Sequence, residues 1–170
     1  MKKVFLGIGT NLGEREENLG KAIINIGDNI GKVVRVSSVY ETEPWGFTAE
    51  DNFLNMVAEV ETILTPSGLL GAILMIESQL GRARGEEQYS SRLIDIDILF
   101  YEDLILDEIS LKIPHPLLHN RKFVLVPFSE IAPDHMHPVL KKNISALLNL
   151  CDDRSRVRLH DRKNIRLQDT

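Results

Sequence analysis

Two aspartates separated by one residue are the feature of the sequence that most directly indicates chemistry. Asp95-Ile96-Asp97 lies in an apolar stretch, residues 93–101, that predicts a strand. Side chains two residues apart on a strand project from the same face, so both carboxylates lie together. Neighbouring carboxylates repel each other unless a cation lies between them, and Mg²⁺ prefers such oxygen ligands. The alternative is a solvated strand face bearing two acids, because the motif is short. The opposite, core-facing side chains are expected to be Ile94, Ile96, Ile98 and Phe100.

Basic side chains lie on both sides of this acidic pair. They are Arg82, Arg84 and Arg92 before it, and His115, Arg121 and Lys122 after it. The guanidinium fork of arginine matches phosphate oxygens bidentately. Paired carboxylates beside an arginine-rich loop therefore favour metal-assisted chemistry on a polyphosphate, as in an enzyme that uses a nucleoside triphosphate. For the loop alone, ordinary surface charge is the alternative.

Glycines and histidines give weaker signals. Gly7, Gly9 and Gly13 follow an apolar strand, as in a dinucleotide-binding loop, but their spacing is G-x-G-x-x-x-G rather than G-x-G-x-x-G. A tight turn with close helix packing is the preferred interpretation. His115 lies between two prolines that hold its backbone, and taken alone it favours a structural histidine. The histidines show no zinc-ligand spacing with the single cysteine, Cys151.

The elements that must position these residues follow from hydrophobic periodicity. Strands are predicted at 4–8, 33–40, 53–62 and 93–101, and helices from an Asn11 cap to Gly31, from Thr65-Pro66 to Gly81, and at 144–150. A small hairpin is predicted at 104–113, before a proline-rich region at 114–138. The order βαββαβ is the ferredoxin-like order. We therefore expect an α+β fold: a ferredoxin-like core with a mainly antiparallel sheet, helices on one face and C-terminal additions.

Length and composition set the frame for these elements. The chain has 170 residues, 43% of them hydrophobic, and a net charge of −5, which indicates one globular domain over residues 1–170. Residues 151–170 are basic and lack apolar periodicity, so we expect a peripheral tail there. The acidic balance argues against nucleic-acid binding. A lone cysteine, and no stretch of ~20 apolar residues, predict a cytoplasmic protein without a membrane span.

Several separated segments together carry a resemblance to a known family. They are Phe5–Gly13, Phe53–Asn55, Glu77–Arg82, Arg92–Leu99, Ile113–Pro116, Asn120–Pro127 and Glu130–Pro133. In this order they resemble the 6-hydroxymethyl-7,8-dihydropterin pyrophosphokinases of folate synthesis over nearly the whole chain. The most specific of them is Arg92-Leu93-Ile94-Asp95-Ile96-Asp97-Ile98-Leu99.

This resemblance implies an enzyme, a 2-amino-4-hydroxy-6-hydroxymethyldihydropteridine diphosphokinase. It would transfer pyrophosphate from ATP to the hydroxymethyl oxygen of the reduced pterin and release AMP. It implies that Asp95 and Asp97 bind two Mg²⁺ ions and that Arg82 and Arg92 close over the phosphates. The implied ATP contacts are Arg84, Ile98, His115 and Arg121. The implied pterin contacts are Thr42, Trp45, Gly46, Phe53, Asn55, Tyr89 and Phe123, with Phe53 and Phe123 sandwiching the ring and Asn55 reading its edge.

The sequence departs from the family in the loop before Arg92. The family has a basic residue, an aromatic residue, glycine and proline where this chain has Gln88-Tyr89-Ser90-Ser91, so Tyr89 stands in for the aromatic. Leu74 occupies a position that can be glutamine on the ATP side. Two other functions stay open: a non-catalytic ferredoxin-like module that binds a small molecule, and a metal-dependent phosphohydrolase. We expect a monomer, with a weak dimer as the alternative.

Overall fold

The computed structural model describes residues 1–44, 51–81 and 93–160, and within them the chain is a mixed α/β fold. The strands are β1 Lys2–Thr10, β2 Gly31–Val36, β3 Tyr40–Thr42, β4 Phe53–Thr62, β5 Asp95–Tyr101, β6 Leu106–Asp107, β7 Lys112–Ile113 and β8 Val157–Leu159. The α-helices are α1 Arg15–Asn29, α2 Pro66–Gln79, α3 Lys122–Ile131 and α4 Ile144–Leu150. None of the helices in these ranges has the length and apolar character needed to cross a bilayer.

One antiparallel sheet organises the molecule. Its strand order is β5-β1-β4-β3-β8, and β2 also pairs with β4. β1 lies between β4 and β5, and its register places Gly9 opposite Asn55 on one side and Asp95 on the other. Gly7 likewise lies opposite Asp97 in β5. The glycine-rich strand thus brings the acidic pair and Asn55 to neighbouring positions.

α1 and α2 cover one face of the sheet, as the apolar spacing of both segments predicts. Leu19, Ile23 and Ile26 of α1 and Leu69, Ile73 and Ile76 of α2 are buried in one core with Val4, Leu6 and Ile8 of β1. The predicted start of α2 is confirmed, since the Thr65 hydroxyl accepts from the Gly68 N–H at 3.2 Å and Pro66 follows. Gly81 lies just past this helix at φ +100°, where glycine is favoured.

The other face carries α3, which the sequence analysis did not predict, and α4, which matches the helix predicted at 144–150. α3 and α4 bury Val124, Phe128 and Leu147 against Phe5 and Phe100 in a second core. The expected helices on one face are α1 and α2, and α3 and α4 are C-terminal additions on the other face. α3 was missed because it follows a proline-rich stretch and contains Pro127, and an internal proline is ordinarily read as a helix break.

Three smaller predictions are wrong in their details. Phe100 lies in the second core because a register shift in β5, opposite Phe5 and Leu6, reverses the alternation of faces. Asn11 does not cap α1, which begins at Arg15 after a bend with Gly13 at φ +63°. The single strand predicted at 33–40 is two short strands, β2 and β3.

Candidate active site

A cavity of about 310 Å³ opens where β1, β4 and β5 meet α2 and the start of α3. The predicted site residues that line it are Thr42, Phe53, Asn55, Asp95, Asp97, His115, Arg121 and Phe123. The structure thus brings together residues that are far apart in the chain and that were selected for two different substrates. Ile98 is not among them, because it is buried with the side chains of α1 and α2. Trp45, Gly46, Arg82, Arg84, Tyr89 and Arg92 lie outside the described residues.

The acidic pair lies beside two glycines. Asp95 and Asp97 are both partly exposed, whereas Ile96 between them is buried, as their alternation on a strand predicts. A Cβ atom at Gly9 would lie 2.8 Å from the Asn55 Oδ1. Glycine at this position therefore leaves the room that the Asn55 side chain occupies. This close approach, rather than a dinucleotide loop, accounts for the glycine.

Glu77 is a site residue that sequence reasoning did not single out. It lines the cavity from α2, is only 3% exposed, and its Oε1 accepts from the Ile96 N–H at 2.8 Å. The bond connects α2 to the residue between the two aspartates. The signal was an acid on an otherwise apolar helix face, beside Ile76, because carboxylates are rarely fully buried without a partner.

Arg121 and His115 face the acidic pair. The Nη1 atom of Arg121 lies 3.6 Å from Asp97 Oδ2 and 3.5 Å from His115 Nε2. The Arg121 side chain is only 10% exposed. A nearly buried guanidinium beside a half-buried carboxylate provides a fixed positive group at this end of the cavity.

His115 is held by its backbone and is neutral near pH 7. Its N–H donates to the Leu99 carbonyl at 3.0 Å, which ties it to β5. Burial lowers the pKa of His115 to about 4; the Arg121 cation acts in the same direction and Asp95 opposes it. The Leu117 N–H donates to His115 Nδ1 at 3.2 Å, which assigns the ring proton to Nε2, the atom nearer Asp97 and Arg121. His115 can therefore donate one hydrogen bond into the cavity without carrying a charge.

The other end of the cavity is aromatic with one polar pair. The Asn55 Nδ2 donates to the Thr42 hydroxyl at 2.6 Å, and both side chains are buried. This bond fixes the orientation of the Asn55 amide. Phe53 and Phe123 also line the cavity, and the Arg121 guanidinium carbon lies 5.7 Å from the centre of the Phe123 ring. A flat heterocycle with a hydrogen-bonding edge suits such a surface.

The donor set of the acidic pair suits Mg²⁺ shared with a substrate. Among the described residues no group of three or more His, Cys, Asp or Glu side chains could hold a metal by itself. Mg²⁺ is commonly bound by one or two carboxylates together with substrate phosphates and waters. Asp95 and Asp97, projecting from one face, fit that mode.

Comparison with known proteins gives the chain clear relatives. Residues 5–133 match the sequence model of the 7,8-dihydro-6-hydroxymethylpterin-pyrophosphokinase family. The chain is 44% identical over 135 residues to the 2-amino-4-hydroxy-6-hydroxymethyldihydropteridine pyrophosphokinase of Methylorubrum extorquens, covering 79% of this chain and 85% of that one. It is 39% identical over 142 residues to the Aquifex aeolicus protein of the same name, covering 84% and 88%.

Solved structures share the fold. A Plasmodium falciparum HPPK-DHPS structure with pterin and p-hydroxybenzoate superposes with a TM-score of 0.70 at 20% identity. The match covers 88% of this chain and 41% of that one, so this chain spans less than half of that protein. Another HPPK-DHPS structure, in complex with substrates, gives a TM-score of 0.71 at 16% identity, again over 88% of this chain and 43% of the other.

Proposed function

The chain belongs to the 7,8-dihydro-6-hydroxymethylpterin-pyrophosphokinase family, and we propose that the residues around its cavity carry out the reaction of that family. The activity is that of a 2-amino-4-hydroxy-6-hydroxymethyldihydropteridine pyrophosphokinase, a transferase of folate synthesis that uses ATP. The non-catalytic module and the phosphohydrolase are the less favoured functions.

One observation carries the assignment of the reaction to this cavity. The same cavity holds the acidic pair with Arg121 at one end and the Asn55–Thr42 pair at the other. The first end suits a polyphosphate and the second suits a flat, hydrogen-bonding ring. Two substrates bound there would meet over the glycines of β1.

The reaction requires positioning more than covalent chemistry from the protein. The hydroxymethyl oxygen forms a bond to the β-phosphorus of ATP, and the bond from that phosphorus to the α,β-bridging oxygen breaks. AMP leaves with that oxygen, and the hydroxyl proton is released. Arg121 and the Nε2–H of His115 would stabilise the negative charge on the phosphate oxygens, which is the main requirement of such transfers.

Mg²⁺ completes the phosphate end of this proposal. Asp95 and Asp97 would hold two ions, as the family resemblance implies, and these would neutralise phosphate charge when bound. Arg82 and Arg92 would close over the phosphates, and Arg84 and Ile98 would contact ATP. For these four residues the proposal rests on the resemblance alone, and the Ile98 side chain lies in the core rather than in the cavity lining.

At the pterin end, Phe53 and Phe123 would stack on the ring while Asn55 reads its edge. The Thr42 hydroxyl supports this role, because it fixes which way the Asn55 amide points. Trp45, Gly46 and Tyr89 would complete the pocket on the strength of the resemblance. Stacking of this kind contributes about 0.5–1.5 kcal/mol per aromatic pair beyond the burial of area.

The expectations for the fold, the extent of the domain, the oligomeric state and the location of the protein belong to the same proposal. The core is ferredoxin-like, supported by the order β5-β1-β4-β2 of the strands that carry the βαββαβ pattern. The domain comprises residues 1–170, and the peripheral tail at 151–170 adds the edge strand β8 to the sheet. We further propose a monomer in the cytoplasm.

Identification of the nucleotide product tests the function. The protein is incubated with ATP, Mg²⁺ and 6-hydroxymethyl-7,8-dihydropterin, and matched samples lack the pterin. Formation of AMP only when the pterin is present supports the proposal. ADP, or AMP without pterin, indicates a hydrolase or another kinase, and nucleotide binding without turnover indicates a binding module.

A further inference from the structure

The C-terminal strap, residues 151–160, contacts the helix that carries two of the cavity residues. This segment lies beyond the part of the chain that matches the family, which ends at residue 133. The Asp153 Oδ2 accepts from the Lys122 N–H at 3.0 Å, from 31 residues further along the chain. Lys122 is the first residue of α3, whose N-cap residue, Arg121, makes no side-chain cap bond. Asp153 therefore supplies the acceptor that this helix end lacks locally.

A second hydrogen bond, within the strap itself, also holds the Asp153 carboxylate in place. The Asp153 Oδ1 accepts from the Ser155 N–H at 2.9 Å, which fixes the carboxylate against its own backbone. Burial tends to raise the pKa of Asp153, but the hydrogen bonds from Ser155 and Lys122 and the charge of Lys122 together outweigh it, so the pKa is lowered. The group stays ionised at neutral pH, the form that interacts best with a helix N-terminus.

Past Asp153, the strap joins the sheet. β8 pairs with β3 so that Val157 lies opposite Thr42. The His160 N–H donates to the Val39 carbonyl at 2.9 Å, and its Nε2 lies 2.7 Å from Glu16 Oε1 on α1. The strap thus spans from the start of α3 to the strand that carries Thr42.

We propose that Asp153 is a positioning residue that sets the separation of the two walls of the cavity. One wall is the start of α3, with Arg121 and Phe123, and the other is β3 with Thr42. Asp153 is not among the residues that line the cavity, so it would act through the Lys122 N–H. This inference rests on the proposed function, because the proposed function assigns Phe123 and Thr42 to the binding of the pterin.

The test compares three variants of the full chain. Asp153→Ala removes the acceptor and is expected to raise the KM for the pterin about 3- to 10-fold, a change equivalent to the energy of one cap interaction, with kcat changed less than about 2-fold. Asp153→Asn keeps an acceptor oxygen and is expected to restore most of the wild-type KM. Asp152→Ala is the matched control, because it removes the same charge from the adjacent, exposed residue and is expected to match the wild type.

A lowered melting temperature of Asp153→Ala with unchanged KM would mean a purely structural role and would overturn the proposal. An equal rise in KM in Asp152→Ala would also overturn it, since charge alone would then be the cause. Hydrogen exchange at the Lys122 amide tests the contact without any substrate. Faster exchange in Asp153→Ala supports the contact even if the wild type makes no AMP, and unchanged exchange overturns it whatever the activity.

Discussion

The guanidinium of Arg121 lies 3.6 Å from the carboxylate of Asp97, and both side chains face the cavity. Arg121 is almost buried while Asp97 is about one third exposed, so the pair sits at the boundary between protein and solvent. Under the proposed function, a bound polyphosphate would pair with the Arg121 guanidinium, and the Asp97 carboxylate would then be available to hold a metal ion. The ion pair therefore keeps the two side chains in place at this end of the cavity before substrate binds.

Replacing Asp95 tests the acidic pair. Asp95→Ala is expected to lower AMP formation at least about 100-fold, because phosphate charge loses its metal-borne stabilisation. The melting temperature should stay close to that of the wild type, since the side chain is partly exposed. Asp103→Ala, at an exposed position after β5, is the control and should keep full activity. Near-normal turnover of Asp95→Ala would rule out the metal assignment.

Replacing Thr42 tests the proposed pterin end of the cavity independently of the phosphate end. Thr42→Val keeps the shape of the side chain but removes the acceptor of the Asn55 amide bond. The KM for the pterin should rise about 10-fold, which corresponds to one lost hydrogen bond, while the KM for ATP stays unchanged. Steady-state kinetics with each substrate varied in turn gives both values. An equal rise in both constants would show that the two ends are not separate.

The close approach at Gly9 predicts a second effect on Asn55. In Gly9→Ala the added methyl group would lie 2.8 Å from the Asn55 Oδ1, so that side chain must move. We expect weaker pterin binding, measured by titration, and a lower melting temperature. Gly27→Ala is the control, because Gly27 lies at an exposed position of α1 and its added methyl group would meet nothing within 4 Å. This substitution should stabilise the fold by up to about 1 kcal/mol, since alanine favours a helix over glycine. Unchanged pterin affinity in Gly9→Ala would contradict the role of Asn55.

The buried His135 is expected to make the free energy of unfolding depend on pH. Its ring lies among Phe5, Phe100 and Phe128, and within the described part of the chain nothing bonds to its Nε2. Burial lowers the pKa of His135, the Lys3 cation adds to this, and Glu59 opposes it.

Because the unfolded chain then binds the proton more readily, stability is fully present above about pH 6.5 and is lost as the pH falls toward the lower folded pKa. His135→Phe keeps the ring contacts and removes the titration. Its free energy of unfolding in urea should fall less between pH 7 and pH 5 than that of the wild type. Some slope should remain, because burial also lowers the pKa of His115 and of His137. Parallel slopes in the two proteins would refute this account.

The local patterns in the sequence predicted the site better than they predicted the path of the chain around it. Alternation on a strand placed Asp95 and Asp97 on one face, and the structure confirms it. The same alternation failed at Phe100, because a register shift depends on the partner strand and leaves no mark in the local sequence. Helix α3 was missed because Pro127 is tolerated only in its tertiary setting.

Two contacts could not be predicted because they join distant segments. The bond from Glu77 to the Ile96 N–H exists only once α2 packs beside β5. The bond from Asp153 to the Lys122 N–H requires the C-terminal strap to pass the start of α3. Composition at Glu77 offered a hint, an acid on an apolar face, whereas Asp153 offered none.

The stoichiometry of the products tests the central claim most directly. Phosphorus NMR of one sample with ATP, Mg²⁺ and 6-hydroxymethyl-7,8-dihydropterin follows every phosphate at once. The account predicts that AMP and the pterin diphosphate appear in equal amounts, and that neither forms when the pterin is left out. Inorganic phosphate with ADP, or AMP that accumulates without a pterin diphosphate, would contradict it.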